Sequence, residues 1–300
     1  MTAIAFFGAI ETGLLYGFLS LGVYLSFRVL DFPDLTVDGS FPLGAAVAGT
    51  LIVAGVNPFV ATGIAILAGG AAGFCTAFLS VRLGILNLLA SILTMIALYS
   101  INLRIMGKPN LSLLNQPTVL APFETWLGAL PKLIVMPLAL LVGVGIAKVI
   151  VDAFLTSQLG LAMRATGMNA DMAQAQGIET DQLILLGMAI SNGLAALSGA
   201  LFAQLYGFAD VTLGVGTVVV GLATVILGEA LLPSGSVFLA TLAVVAGSVI
   251  YRVAIAIALN AGFLGFQAQD LNLVTAILVV LALTLPNAQI VRRPSRKKQP

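Results

Sequence analysis

Four carboxylates stand inside or against apolar sequence: Glu11, Asp34, Asp38 and Glu229. A carboxylate in hydrocarbon surroundings is costly, and it persists where it meets a solute, a proton or another helix. Histidine is absent from all 300 positions, and Cys75 is the single cysteine. The commonest metal ligand and the usual proton shuttle near neutral pH are therefore missing, and an intramolecular disulfide is excluded. No GxxxxGKS/T run occurs, so ATP that drives this protein must bind another subunit. We expect no catalytic residue, no metal and no cofactor on this chain, and no enzyme activity of its own. What remains is binding. Asp38, Ser40, Asn87, Asn192 and Glu229 are candidates for lining the path of a polar solute, with Asn102, Gln204 and Asn260 as milder ones. For Glu11 and Glu229 a helix-end or interhelical role competes with a place on that path.

The region 34–44 holds Asp34 and Asp38 among the helix breakers Pro33, Gly39, Pro42 and Gly44. Irregular backbone at membrane depth survives only where protein or water satisfies it. A helix starting after Ser40 would point free N–H groups into the protein. One reading is a broken helix lining a path; the other is a loop whose carboxylates face water. Asp34-Leu35-Thr36-Val37-Asp38-Gly39 is echoed by Asp210-Val211-Thr212-Leu213-Gly214. Transporters often contain two related halves whose broken helices meet at the solute site.

A second polar stretch, 152–181, holds Arg164-Ala165-Thr166-Gly167-Met168-Asn169 and continues to Gly177-Ile178. Asn169 can cap a helix start, Asp171 suits the first turn, and Gly177 suits the left-handed residue after the last. The spacing predicts a helix over 170–176, roughly 10 Å long. So short a helix needs packing to hold it. Met168, Met172 and Ala175 share a face at i, i+4, i+7. That face rests on the membrane or the chain itself, or docks on a cytoplasmic partner, with Arg164 and Asp171 setting the orientation.

The elements that position these residues are membrane spans. Hydrophobic residues make up 60% of the chain and charged ones 8%, where a soluble domain carries about 25% charge. A span needs about 20 mostly apolar residues. Candidates lie near 4–27, 40–56, 58–81, 85–103, 130–151, 182–206, 213–231, 234–257 and 267–286. The fold class is therefore all-α, a polytopic helical bundle of about nine spans, with eight to ten allowed because 40–56 and 213–231 are short or weak. The only basic cluster is Arg292, Arg293, Arg296, Lys297 and Lys298. It is too small for a nucleic-acid footprint, and it places the C-terminal tail in the cytoplasm. Nine spans then put the N-terminus outside, Arg28, Arg82, Lys148 and Arg164 inside, and Arg104, Lys108, Lys132 and Arg252 outside. The spacings Gly13-x-x-x-Gly17, Gly69-x-x-x-Gly73 and Ala195-x-x-x-Gly199-x-x-x-Ala203 allow close helix contact. We divide the chain into a transmembrane domain, 1–288, with the loop 152–181, and a basic tail, 289–300.

Arg164-Ala165-Thr166-Gly167-Met168-Asn169 followed by Ala173-Gln174-Ala175-Gln176-Gly177-Ile178 resembles the cytoplasmic coupling motif of bacterial ABC importer permeases. The branch is the one that includes branched-chain amino-acid and ribose permeases. The run 191–200, Ser-Asn-Gly-Leu-Ala-Ala-Leu-Ser-Gly-Ala, resembles the small-residue helix after that motif. Segments 99–107 and 35–40 are similar to a narrower subgroup linked to amino-acid-type, including aromatic, solutes. The resemblance covers about 5–286. It implies that Arg164, Gly167, Asn169, Asp171, Met172, Ala173, Gly177 and Ile178 lie in the loop that couples to the ATPase. It implies a second permease subunit, two cytoplasmic ABC ATPase subunits carrying ATP and Mg, and an external solute-binding protein, at the bacterial inner membrane. The expected role is half of the translocation path for a small polar solute, an amino acid. An ion-gradient-driven secondary transporter is the alternative.

Overall fold

The computed structural model describes residues 3–126, 131–232, 235–260 and 280. Helix α1 (Ala3–Val23) runs on through a π-helical segment, Tyr24–Val29. Ser26 contributes to that widening: its Oγ donates to the carbonyl of Val23 at 3.2 Å, inside the preceding turn. Then come α2 (Val37–Val53), α3 (Pro58–Val81) and α4 (Asn87–Met106). A strand β1 (Asn110–Ser112) and a short α5 (Ala121–Trp126) lead to α6 (Lys132–Thr156). Two short helices, α7 (Gln158–Met168) and α8 (Ala170–Ala175), precede α9 (Thr180–Tyr206). Strand β2 (Phe208–Asp210), α10 (Thr217–Leu231) and α11 (Val237–Asn260) follow.

Six of these helices are long and apolar enough to cross a membrane, and α2 and α10 are shorter apolar helices. All eight fall where the sequence places spans; the ninth, 267–286, lies outside the described residues, as do the tail and the side chains of Trp126, Lys132 and Asn260. At 17 and 15 residues, α2 and α10 reach only about 25 and 22 Å, short of a hydrocarbon layer of roughly 30 Å. Each therefore starts within the bundle. The expected helix start after Ser40 is corrected: α2 begins at Val37 and takes Ser40 and Pro42 inside it. Pro42 has no N–H to give the Asp38 carbonyl. Gly214 packs against that carbonyl, so closely that a Cβ there would lie 1.8 Å from it.

The order repeats. A long helix, a tight turn at an aspartate, a short helix and a long helix occur as α1, Asp34, α2 and α3, and again as α9, Asp210, α10 and α11. In the first turn the Thr36 N–H donates to Asp34 Oδ1 at 2.8 Å; in the second the Thr212 N–H donates to Asp210 Oδ1 at 2.7 Å. Helix α9 is the sixth crossing, so it runs opposite to α1, and the two runs have inverted direction. The packing repeats too. In α3, Gly73 closes on the carbonyl of Met188 in α9; in α11, the Cα of Val249 closes on Gly13 of α1. A Cβ at Gly73 or Gly13 would fall 2.1 or 2.7 Å from those atoms, so both contacts require glycine. These are the close approaches expected of the two GxxxG spacings, and they gain dispersion where lipid offers no hydrophobic drive.

The core lies between α1, α2 and α9, with Leu15, Leu19, Leu25, Phe41 and Met188 fully buried. Tyr16 stacks on Phe41, and Phe41 meets Phe202 edge-on, at ring separations of 5.8 and 5.7 Å. Large apolar side chains such as Phe59, Leu67, Leu93 and Ile150 point outward, as a lipid-facing surface requires. Antiparallel pairing of β1 with β2 ties the ends of α4 and α9 together.

Candidate functional site

Asp38 sits in the first turn of α2 and reaches across to the start of α10. Its Oδ1 accepts from the Val218 N–H at 2.7 Å and the Thr217 hydroxyl at 2.9 Å, and its Oδ2 accepts from the Gly216 N–H at 3.1 Å. Those are N–H groups a helix start leaves unpaired, and the helix dipole favours a negative charge there. Gly216 takes φ +80 to turn the chain into α10, and as a glycine it has no side chain with which to cap the helix itself. One aspartate thus joins the starts of both short helices. The reading of 34–44 as a water-facing loop is overturned: Asp34 is fully buried, and Asp38 is bonded to α10.

Beside this junction lies a buried polar chain. The Ser40 hydroxyl donates to Asn192 Oδ1 at 2.7 Å, and Asn192 Nδ2 donates to Asp34 Oδ2 at 2.7 Å and to the Met188 carbonyl at 3.2 Å. Ser40, Asn192 and Asp34 have no solvent exposure. They satisfy one another inside the bundle, as buried polar groups must, and lock the α2 start to the middle of α9.

A cavity of about 450 Å³ opens on the other side of Asp38. It is lined by Asp38, Pro42, Met95, Tyr99, Asn102 and Val215, among others. Its size is in the range of small-molecule sites. Gly39 lets α4 come close here: a Cβ would fall 2.8 Å from a methyl of Leu98.

Other candidates sit elsewhere. Glu229 lies twelve residues beyond Thr217 on α10, about 18 Å away, and accepts from Arg28 Nε at 2.7 Å. It pins the π-helical end of α1 to the end of α10. Asn87 opens α4 at the same end and accepts from the Ser80 hydroxyl. Glu11 is half-buried near the opposite end of α1, next to Thr12, which bonds the Tyr206 hydroxyl at 2.7 Å. Gln204 accepts from the Val119 N–H and donates to Thr62, tying the α4–α6 connection to α9 and α3. Among the described residues, no group of three His, Cys, Asp or Glu side chains could hold a metal ion.

Sequence reading passed over one polar cluster. Lys148 pairs with Asp152 one turn along α6 and lies over the Phe238 ring, and Asp152 accepts from the Thr241 hydroxyl at 2.5 Å. The i, i+4 spacing of Lys148 and Asp152 was the available signal, but nothing local marked Phe238 and Thr241.

At the end of the bundle where α1, α3 and α6 finish, α7 and α8 form an elbow. Asn169 terminates α7 in extended backbone and caps α8, its Oδ1 accepting from the Met172 N–H at 2.9 Å. Helix α8 closes at Ala175, one residue before the expected end, with Gly177 at φ +83 and the Ile178 N–H donating to the Ala173 carbonyl at 3.1 Å. Gly167 seats α7 on the end of the π-helical segment: a Cβ would lie 1.9 Å from the Val29 carbonyl oxygen. Ala173 turns inward at 4% exposure, whereas Met168 and Met172 are 89% and 61% exposed and Ala175 is exposed with them; the single helical face expected of the three is corrected, because the extended backbone at Asn169 leaves Met168 on α7 and puts Met172 and Ala175 on α8. Arg164 on α7 and Asp171 on α8 are exposed with them.

Comparison with known proteins follows the same outline. A family described as "Branched-chain amino acid transport system / permease component" matches residues 5–285. The chain is 39% identical over 295 residues to a protein of Clostridioides difficile (strain R20291) named "Tyrosine transport system permease protein", covering 95% of this chain and 96% of that relative. It is 43% identical over 210 residues to "Uncharacterized protein RP368" of Rickettsia prowazekii (strain Madrid E), covering 69% and 71% of the two chains. No solved structure matches it. The chain belongs to the permease components of branched-chain amino-acid transport systems, and it is the membrane subunit of an ABC-type amino-acid importer that works with a separate ATPase subunit.

Proposed function

We propose that this chain forms half of the translocation path for an aromatic amino acid, pairing with a second copy of itself, and that the elbow of α7 and α8 receives the stroke of the ATPase. The observation that carries the coupling is the set of uncovered apolar side chains at the elbow: Met168 at the end of α7, which Gly167 seats on α1, and Met172 and Ala175 on α8, a helix capped at both ends. A six-residue helix is marginal alone, and apolar side chains left uncovered on it suit a protein partner. The name of the Clostridioides difficile relative points to tyrosine as the first solute to test.

In this reading Arg164, Gly167, Asn169, Asp171, Met172, Ala173, Gly177 and Ile178 belong to the docking loop. The elbow end is cytoplasmic, with the tail 289–300 on the same side and the N-terminus outside, at the bacterial inner membrane. An external binding protein delivers the solute, and two ABC ATPases bind ATP and Mg. ATP drives transport only by binding one ATPase arrangement more tightly than another; this chain transmits the difference. Movement at α7 reaches α1 through Gly167 and Val29, and α10 through Arg28 and Glu229. Asp38 then links α10 to α2 beside the cavity. Ser40 and Asn192 support that junction from behind, while Asn87 and Glu229 lie at the inside ends of α4 and α10.

The test is uptake and ATP hydrolysis measured together in vesicles holding the complete complex. Arg164→Glu and Ala173→Pro should leave the protein in the membrane but separate ATP hydrolysis from uptake. Normal coupling in both variants overturns the docking assignment. Uptake driven by a proton or sodium gradient with no ATPase present overturns the ATP-driven reading.

A further inference from the structure

The Lys148–Asp152 pair stands on the helix that ends in the elbow. Helix α6 passes into α7 through a single residue, Ser157. Its hydroxyl donates to the Phe154 carbonyl at 2.6 Å and accepts from the Gly160 N–H at 3.3 Å, so one side chain closes one helix and opens the next. Gly160 presses the first turn of α7 onto the last turn of α6, and a Cβ there would lie 2.2 Å from the Phe154 carbonyl oxygen. So tight a corner moves as one piece, because packed backbone does not deform continuously. A displacement of the elbow must displace the end of α6.

Asp152 stands four residues before that end, roughly 6 Å from the corner. Its two oxygens hold different helices. Oδ2 accepts from Lys148 Nζ on α6, and Oδ1 accepts from the Thr241 hydroxyl on α11 at 2.5 Å. Lys148 Nζ also lies 3.4 Å from the centre of the Phe238 ring, a cation–π contact. Phe238 and Thr241 are three residues apart at the start of α11 and so share a face. The cluster is shielded from solvent: Thr241 is fully buried, and the side chains of Lys148 and Asp152 are 8% and 14% exposed. Helix α11 is locked in turn to α10. A Cβ at Gly228 or Gly247 would lie 2.2 or 2.3 Å from the carbonyl oxygen of Ala243 or Thr224.

Stability alone does not account for a buried ion pair. Desolvating two charges can cost more than their attraction returns, and apolar residues of similar volume often pack as well or better. An apolar contact between α6 and α11 could slide, whereas hydrogen bonds and an ion pair hold one direction. Charges kept inside a membrane bundle mark places where function uses them. We infer that Asp152 is a positioning residue of transport: it clamps the start of α11 to the helix that ends in the elbow, so that the stroke at α7 reaches α10 through α6 and α11 as well as through Arg28 and Glu229. The inference rests on the docking of the ATPase at the elbow and adds the residue through which the stroke enters α11.

The experiment uses the complete complex in vesicles with its loaded binding protein, and reads solute moved per ATP hydrolysed beside the thermal unfolding midpoint. Lys148→Met, Asp152→Leu and Thr241→Val, made together, replace the cluster with apolar side chains and leave no charge unpaired. That variant should unfold near the wild-type midpoint and move severalfold less solute per ATP. A wild-type ratio in it overturns the inference. Where the combined variant does not assemble, Thr241→Val and Thr241→Ser decide. Only serine keeps the hydroxyl that Asp152 holds, so Thr241→Val should lower the ratio and Thr241→Ser should not; equal ratios in the two overturn the inference. Arg164→Glu and Ala173→Pro, measured beside them, separate this link from the docking itself. If those two uncouple while the cluster variants couple normally, the inference falls alone. If those two couple normally, the docking reading falls and takes the inference with it.

Discussion

Asp38 and Val218 are 180 residues apart in sequence, and the carboxylate of one accepts the N–H of the other at 2.7 Å. This bond makes the start of α10 dependent on the first turn of α2. Removing an acidic cap costs about 0.5–2 kcal/mol, and asparagine is nearly as good an acceptor there as aspartate. Asp38→Ala should therefore lower stability in detergent by about 2 kcal/mol and abolish uptake. Asp38→Asn should lose less than half as much stability while still altering transport, because the charge facing the helix start is gone. Thermal unfolding midpoints and ATP-driven uptake check both. An Asp38→Ala protein that melts and transports like wild type would show that α10 holds its place without this cap.

Gly167 and Gly8 offer a matched pair. A Cβ at Gly167 would meet the Val29 carbonyl oxygen at 1.9 Å, whereas a Cβ at Gly8 has nothing within 4 Å. Backbone cannot yield as a side-chain tip can, so Gly167→Ala must shift α7 on α1, at about 1–3 kcal/mol. Gly8→Ala in α1 should be neutral or stabilise by about 0.4–1 kcal/mol. In uptake assays Gly167→Ala should reduce transport per ATP at least severalfold while the protein still reaches the membrane. Equal behaviour of the two variants would remove Gly167 from the mechanical link.

Asn192 holds Asp34 and Ser40 at once. Asn192→Ala leaves a buried carboxylate oxygen without its donor, and an unsatisfied buried group costs about 1–3 kcal/mol, more where it is charged. Ser40→Ala removes only a donor whose loss Asn192 Oδ1 can bear, and should cost about 1 kcal/mol. Because the residues form one chain, the two changes should not add; a coupling of about 0.5–3 kcal/mol is expected. A double-mutant cycle on thermal stability measures it, and strict additivity would mean the chain is not a unit.

The elbow was the most legible part of the site because its signals are local. Asn169, Asp171 and Gly177 are a cap, a first-turn acid and a left-handed stop within nine residues, and each acts on its own turn. The echo of Asp34 and Thr36 in Asp210 and Thr212 was legible for the same reason: each aspartate binds the N–H two residues on. The start of α2 was misplaced to a position after Ser40. Pro42 and Gly44 read as breakers, but the bundle tolerates both, since Gly44 closes on the Ala196 carbonyl and Gly214 on that of Asp38. What Asp38, Ser40 and Asn192 bind was not legible, because, apart from the Met188 carbonyl that Asn192 also reaches, their partners lie more than 150 positions away. Composition showed that such groups would need partners in lipid; only the fold supplies them.

Asp210 sits at the β1–β2 bridge, outside the membrane-spanning helices, and links it to pH. Partial burial pushes its carboxyl up, but the Thr212 hydroxyl at 2.6 Å, the Thr212 N–H at 2.7 Å and Asn110 Nδ2 at 3.2 Å outweigh that and hold it below the ordinary carboxylate range. In an unfolded segment an aspartate titrates near about 3.9. The bridge is therefore stabilised by the ionised form above that value, and the stabilisation is lost as pH falls through the lower folded value. Limited digestion by pepsin between about pH 4 and pH 2 should cut near Leu111 and Phe208 increasingly as the pH drops. Asp210→Asn cannot titrate, so run at each pH it corrects for the protease's own pH dependence. The ratio of wild-type to Asp210→Asn cutting should rise toward acid; a ratio constant over that range would show that the Asp210 charge does not hold β1 to β2.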